Sequence, residues 1–301
     1  MQLLPTHMTK AGGVMLRHLL SSVRPKQWYK NSLLFVCIVF SANINDASMW
    51  ATLILAFIYF CMLSAAEYLI NDVLDREADR IHPLKSQRPI ASGQLKVSHA
   101  LLFALLLIVL SLLGAYFTIN LDFLIISASY VALVLLYSLV LKRLAIVDVL
   151  TISTGFVVRA IAGCLAIDVL ISPWLIVCTF LLALVLALSK RWHEMMTLAE
   201  DATSHRPSLA GYSSRILEQL IGITAGALIV TYLLYASSAR NDFMIVTAPF
   251  VIYGLFRYWY LIHQEGFGAE PEVVFKDKAM LINLGIWGLS VIAITLYEIL
   301  A

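Results

Sequence analysis

Nine apolar runs dominate the sequence, at approximately 27–43, 49–70, 98–117, 121–141, 146–167, 173–190, 217–237, 243–262 and 280–300. Each approaches the roughly 20 residues that a helix needs to cross a bilayer. The hydrocarbon layer holds no water to satisfy backbone N–H and C=O groups, so runs of this length are expected to be helical there. Of the 301 residues, 61% are hydrophobic and 13% charged, whereas a soluble domain carries about a quarter charged residues. The chain is therefore expected to be all-α, a polytopic membrane protein with about nine transmembrane helices.

Short links at 43–48, 118–120, 168–172 and 238–242 alternate with polar links at 71–97, 142–145, 191–216 and 263–279, longer in all but the second case. Eighteen of the 21 Lys and Arg precede or begin the first run or lie in and beside the longer links, against Arg240 alone on the other side. By the positive-inside rule the N-terminus and the longer links face the cytoplasm, and the C-terminus lies outside, as an odd number of spans requires. The expected location is a cytoplasmic membrane, inner or plasma, crossed many times, with membrane lipid as a partner. A net charge of +2 makes no case for nucleic acid, and none is expected. Residues 1–23 lack the pattern of a cleaved signal, and Val14, Met15, Leu16, Leu19, Leu20 and Val23 suit an interfacial helix. They are read as an N-terminal segment ahead of a single transmembrane domain at 24–301. Its entry is the basic and aromatic collar Arg24-Pro25-Lys26-Gln27-Trp28-Tyr29-Lys30-Asn31.

The second link, at 71–97, opens on acids. On a helix, Asp72, Asp75 and Asp79 stand at i, i+3 and i+7 and Asn71 at i+4 to Asp75, so the four share one broad face. Converging carboxylates repel unless a cation holds them, and hard oxygen ligands favour magnesium, which leaves positions for phosphate oxygens. The chemistry points to a magnesium diphosphate; the plainer alternative is a solvated charged loop. Pro83, Pro89 and Gly93 then imply a bent, ordered segment that folds Lys85 and Arg88 back over a ligand.

Cations gather at two more helix ends. Tyr137 and Lys142 close the fourth run before Asp148, and Lys190, Arg191 and Glu194 close the sixth, with Lys190 and Glu194 on one face at i+4. Topology alone collects bases at such ends; taken together they suit a polyphosphate held by charge-assisted hydrogen bonds. Arg159 and Arg257 lie inside spans, where a charge is costly unless it faces a protein or watery interior. Arg257 is near enough to Tyr253, Tyr258, Trp259 and Tyr260 to snorkel. Arg159, after Thr151, Ser153, Thr154 and Gly155, is the stronger functional candidate. His82 and His193 lie beside the charged groups and suit phosphate or plain surface equally. The four cysteines lie in apolar runs without metal spacing and are read as packing residues. No HExxH, GxSxG or Walker loop is present.

These residues resemble the UbiA superfamily of intramembrane prenyltransferases, whose hallmark is Asn-Asp-x-x-Asp-x-x-x-Asp after the second helix. Asn71, Asp72, Asp75 and Asp79 match it position for position. Several segments are similar to the decaprenyl-phosphate phosphoribosyltransferase branch: Arg24 to Trp28, His82-Pro83 with Lys85, Arg88 to Gly93, Tyr137-Ser138 with Leu141-Lys142, Arg159 to Gly163, Ser189 to Arg191 with Glu194, and Asp277. Two departures from the wider superfamily stand out. A second Asp-x-x-x-Asp motif is replaced by Lys190-Arg191-Trp192-His193-Glu194, and Tyr137 and Lys142 are one residue further apart than usual.

The resemblance implies nine helices around a central cavity, with an active site facing the cytoplasm. It implies Mg2+ on Asp72, Asp75 and Asp79, which form the catalytic set, with Asn71 completing the metal ligands. The substrate-binding set it implies is Lys26, Lys85, Arg88, Tyr137, Lys142, Arg159, Lys190, Arg191 and Glu194. Replacing acids by bases at 190–191 suits a donor richer in phosphate than a prenyl diphosphate, so the expected reaction transfers 5-phosphoribosyl from phosphoribosyl diphosphate to a polyprenyl phosphate lipid. Prenyl transfer from a polyprenyl diphosphate to a small acceptor is the rival within enzymes, and an ion or solute transporter the rival outside them.

Overall fold

A computed structural model describes residue 15 and residues 17–82, 85–198, 207–238, 242–264 and 276–300. Most of the N-terminal segment, Pro83, Arg206 and Arg240 lie outside the described residues. The helices are α1 (Val36–Phe40), α2 (Ala47–Leu74), α3 (Arg76–Ile81), α4 (Val97–Thr118), α5 (Leu121–Leu139), α6 (Val147–Ala166), α7 (Pro173–Leu198), α8 (Ser214–Ser238), α9 (Ala248–Ile262) and α10 (Lys278–Leu300). Among the described residues, eight segments are long and apolar enough to span a membrane, the seventh reaching from Phe243 through α9. All eight fall on the second to ninth runs expected from sequence.

The first run differs. Residues Pro25–Phe35 form a 3-10 helix of 11 residues, which passes into the five residues of α1. A 3-10 helix rises about 2.0 Å per residue against 1.5 Å in an α-helix, so the two together cover roughly 30 Å, near the hydrocarbon thickness. The run has the reach of a span without being one regular α-helix.

The chain packs as two compact units, Met1–Ser32 with Thr52–Leu139, and Leu33–Ala51 with Val140–Ala301. In the first, Ala65, Ala66, Ala100 and Ala104 are buried with Leu19, Val23, Leu69, Ile90 and Leu95. Small side chains let helix backbones approach, which is the main source of helix association where lipid is as apolar as leucine. The ordered segment after α3 contributes Ile90 and Leu95 to this core, and Gly93, at φ +82, makes its turn. Phe60 packs against Phe123 and Tyr130, with ring centroids 5.8 and 5.3 Å apart.

In the second unit α7 packs along α6 and α8 around Val149, Val185, Leu188, Leu217 and Ile221. A smaller cluster is pinned by Tyr232, whose hydroxyl lies 2.7 Å from Thr247 Oγ1 and accepts from Trp287 Nε1 at 2.9 Å. The hydroxyls of α6 are satisfied within their own helix, Thr151, Ser153 and Thr154 donating to the carbonyls of Val147, Val149 and Leu150 at 2.7, 2.8 and 2.9 Å. Cys37, Cys61 and Cys164 are buried and all four cysteines are free thiols.

Gly163 of α6 meets backbone. A Cβ there would lie 2.2 Å from the Leu34 carbonyl oxygen, and no side chain can turn aside to admit it. Gly163→Ala is expected to destabilise the protein by about 1–3 kcal/mol or more, read as a lowered melting temperature in detergent. Gly222→Ala, where a Cβ meets nothing within 4 Å, should hold or raise it, because alanine favours a helix over glycine by about 1 kcal/mol.

Candidate active site

The acidic face is built in the first unit by a break in the helix. Asp75 adopts φ −92 and ψ 4, which separates α2 from α3 while the hydrogen bonds from Asp75 N to Asn71 O and from Asp79 N to Asp75 O keep the turns in step, at 2.9 and 2.8 Å. Asp72 and Asp79 are thereby both buried, at 2% and 4% exposure. Asp75 is half-buried at the break, and Asn71 lies one turn before it.

Two arginines neutralise the buried acids. Arg88 Nη1 donates to Asp72 Oδ1 at 3.1 Å and to Asp79 Oδ2 at 2.6 Å, so one nitrogen bridges carboxylates two turns apart. Arg24 Nη2 donates to the same Asp72 oxygen at 2.5 Å while its guanidinium lies 4.9 Å over the Tyr68 ring. The loop that carries Arg88 is itself tied down, Arg80 Nε donating to Ala91 O at 3.3 Å and Leu95 N to Pro89 O at 2.8 Å. The segment is bent and ordered, as expected from its prolines and glycine, and it returns to the acids. Lys85, half-buried, donates its backbone N–H to His82 Nδ1 at 3.3 Å, and Lys26 is exposed.

This donor set fits magnesium chemically. All the oxygens are hard, and a single cationic atom already lies within hydrogen-bond distance of two of the acids. Among the described residues, however, no three His, Cys, Asp or Glu stand close enough to hold a metal as they are; the carboxylates face arginine instead. Beside Asp75, Arg76 Nε is buried with no hydrogen-bond partner. An orphan donor next to acids suits an anion arriving with its own cation.

The second unit holds another charge cluster. Arg191, 2% exposed, donates from Nε to Asp148 Oδ2 at 2.7 Å and from Nη1 to Glu194 Oε2 at 2.8 Å. Glu194 pairs with Arg191 at i+3. Asp148, fully buried, also accepts from Ser208 Oγ at 3.3 Å and from Tyr212 Oη at 3.2 Å. Burial and then the Asp148 charge push the Tyr212 hydroxyl up to about 12. Lys190 and Lys142 are half-buried, as is Tyr137 at the end of α5 in the first unit.

Arg159 is buried in α6, donates from Nη1 to the Gly155 carbonyl at 2.9 Å, and lies 5.5 Å over the Phe156 ring. Arg257 reaches out of its span to Asp277 through Nε and Nη2, at 3.2 and 2.8 Å, with Tyr260 beneath it at 5.3 Å. Sequence reasoning missed Arg24 as the partner of Asp72, Tyr212 and Ser208 at Asp148, and Glu67, whose Oε2 accepts from Tyr130 Oη at 2.5 Å. Glu67 alone carried a signal, an acid inside an apolar run.

The UbiA prenyltransferase family model matches residues 32–285. The chain belongs to the UbiA prenyltransferase family. Within it, the chain is 35% identical over 288 residues to the decaprenyl-phosphate phosphoribosyltransferase of Mycolicibacterium smegmatis, covering 89% of each chain. It is 31% identical over 280 residues to that of Corynebacterium glutamicum, covering 89% of this chain and 84% of the relative. Its fold is similar to a UbiA homolog from Archaeoglobus fulgidus bound to DMAPP and Mg2+, with a TM-score of 0.72 at 20% identity over 92% of this chain and 98% of the other. The protein is a UbiA-family membrane transferase, similar in sequence to phosphoribosyltransferases.

Two stability predictions follow from the ion pairs. Arg88→Ala leaves Asp79 buried without that cation, and is expected to lower stability by about 2 kcal/mol, less than for a fully buried pair because the Arg88 side chain is 25% exposed; thermal unfolding in detergent reads it. Asp277 accepts two hydrogen bonds from Arg257 and one from Met280 N, which hold its carboxyl below the usual range. A depressed carboxyl stabilises the fold above its unfolded pKa, about 3.9, and loses that contribution as pH falls through the lowered value. The melting-temperature gap between wild type and Asp277→Asn should therefore be full at neutral pH and shrink below about pH 4.

Proposed function

We propose that this UbiA-family enzyme transfers the 5-phosphoribosyl group of 5-phosphoribosyl 1-diphosphate to a polyprenyl phosphate, releasing diphosphate. The observation that carries this reading is the match along 89% of both chains to a decaprenyl-phosphate phosphoribosyltransferase. The charge pattern supports it: bases stand at 190–191 where the wider superfamily carries acids.

Asp72, Asp75 and Asp79, with Asn71, are assigned to Mg2+. Magnesium, when bound, would neutralise the oxygens of the departing diphosphate. Arg88 and Arg24 hold the acids in place before the donor arrives, and they and Arg76 are the donors at hand for diphosphate oxygens. Lys26, Lys85, Lys142 and Lys190 keep the phosphate-binding assignment that the resemblance implies. Arg191, already between two carboxylates, is assigned to holding the end of α7.

As the bond from ribose C1 to diphosphate oxygen breaks, its electron pair leaves with diphosphate and C1 becomes electron-poor. An oxygen of the polyprenyl phosphate forms the new bond. That oxygen is already anionic, so the reaction needs no strong base. The site faces the cytoplasm in this reading, which the excess of bases in the longer links supports.

Asp75→Ala tests the metal assignment with little structural damage, because Asp75 is half-buried where Asp72 and Asp79 are buried. The variant is expected to keep the wild-type melting temperature within a few degrees and to lose at least about a hundredfold in Mg2+-dependent turnover. Mass spectrometry of lipid products reads it, with phosphoribosyl diphosphate and a polyprenyl diphosphate offered as alternative donors. Near-normal turnover in the variant would sink the metal assignment, and product from the prenyl donor alone would sink the phosphoribosyl one.

A further inference from the structure

Among the described residues four non-glycine residues have positive φ, and one of them, Ile146 at +67, has a branched β-carbon. Its ψ is −49, and Val147 N donates to Ala145 O across it at 2.7 Å. This is a γ-turn of the rare, strained hand, centred on a residue type for which positive φ is a true outlier. Strain of this kind persists only where the surroundings over-determine it, and an observed outlier is a legitimate start for a functional hypothesis.

The surroundings are identifiable, and all belong to the second unit. Ile146 N donates to Tyr212 Oη at 2.5 Å, Tyr212 donates onward to Asp148 Oδ1 at 3.2 Å, and Asp148 Oδ2 accepts from Arg191 Nε at 2.7 Å. Next to Tyr212, a Cβ on Gly211 would lie 2.6 Å from the Ala145 Cβ, so the 3-10 turn Pro207–Gly211 rests directly on the strained residues. On the other side of the γ-turn, the 3-10 turn Leu141–Arg143 carries Lys142 and is closed by Arg143 N to Val140 O and Leu144 N to Leu141 O, both at 3.1 Å. Asp148 N then donates to Leu144 O at 3.0 Å. These bonds bracket the residues from Lys142 to Asp148.

We propose that Tyr212 is a positioning residue. It latches the strained turn onto the segment before α8 and so fixes Lys142 relative to Lys190, the neighbour of Arg191, for binding the phosphates of the donor. The role rests on the reading above that these lysines meet phosphate. The latch itself does not.

Tyr212→Phe keeps the ring and removes both hydrogen bonds. Glycine reaches positive φ without steric penalty, so Ile146→Gly frees the turn from its need for Tyr212. Hydrogen exchange of the peptide covering 141–148 reads the latch in the purified full chain, whatever its substrate. Exchange in Y212F is expected to be at least about tenfold faster than in wild type. For the donor, KM should rise about tenfold in Y212F with kcat within about threefold, and Y212F with I146G should return KM to within about threefold of wild type.

Unchanged exchange in Y212F overturns the latch. Faster exchange with an unchanged KM, or a raised KM that I146G does not relieve, overturns the positioning role. Should Y212F fail to fold, a folded Y212F/I146G double variant supports the latch and an unfolded one overturns it. Turnover of a prenyl diphosphate in place of phosphoribosyl diphosphate overturns the donor assignment separately, leaving exchange to decide the latch.

Discussion

Burying an ion outside water costs several kcal/mol even after the protein relaxes around it, and removing one partner of a buried pair is destabilising by about 3–5 kcal/mol. Asp72, Asp79, Asp148 and Arg191 are all buried in a chain with few charges to offer. Their partners therefore decide how the polar ends of the helices fold. The segment after α3 returns to the acids because Arg88 must meet Asp72 and Asp79, and its apolar residues Ile90 and Leu95 complete a core once it is there. The start of α6, the end of α7 and the turn before α8 meet for the same reason, at Asp148. At the second place the planar fork of arginine serves two carboxylates at once, Nε of Arg191 meeting Asp148 and Nη1 meeting Glu194, where an ammonium is a single point of charge.

The helices were legible because their driving force is local. A run of apolar residues long enough to cross hydrocarbon declares itself whatever the rest of the chain does. The first run was legible only as a span, not as a conformation, because hydropathy counts residues and carries no information on rise per residue. The acids were legible through their 3-4 spacing, although that spacing suggested one continuous helix, and the break at Asp75 leaves Asp72 and Asp79 together in the interior. Their partners were not legible. Arg24 and Asp72 are 48 residues apart, Asp148 and Tyr212 are 64 apart, and no periodicity links such pairs. Ile146 was least visible of all, since a β-branched residue in an apolar run signals helix or strand and never a γ-turn.

Glu67 is a different kind of omission. An acid within an apolar run is as strong a sequence signal as Arg159, and it was available from the first. Its partner, Tyr130, is a neutral hydroxyl, so the pair adds no opposing charge and leaves no pattern of alternating sign to notice.

Counting bases along the sequence also overstates the positive charge at the end of α7. Arg191 stands between Asp148 and Glu194, and the three together carry one more negative charge than positive. Replacing the wider superfamily's second acidic motif has therefore not produced two available cations there. It has produced one half-buried lysine, Lys190, on a helix end anchored by a neutralised arginine. A donor's extra phosphate would then be recognised less by the amount of charge than by where a few lysines are held. A lysine ammonium is a flexible point charge, and it discriminates between phosphate positions only as well as the backbone beneath it is fixed. On the proposed reading, a strained turn four residues from Lys142 would bear on specificity in this way, backbone geometry adding to the selection that charge makes.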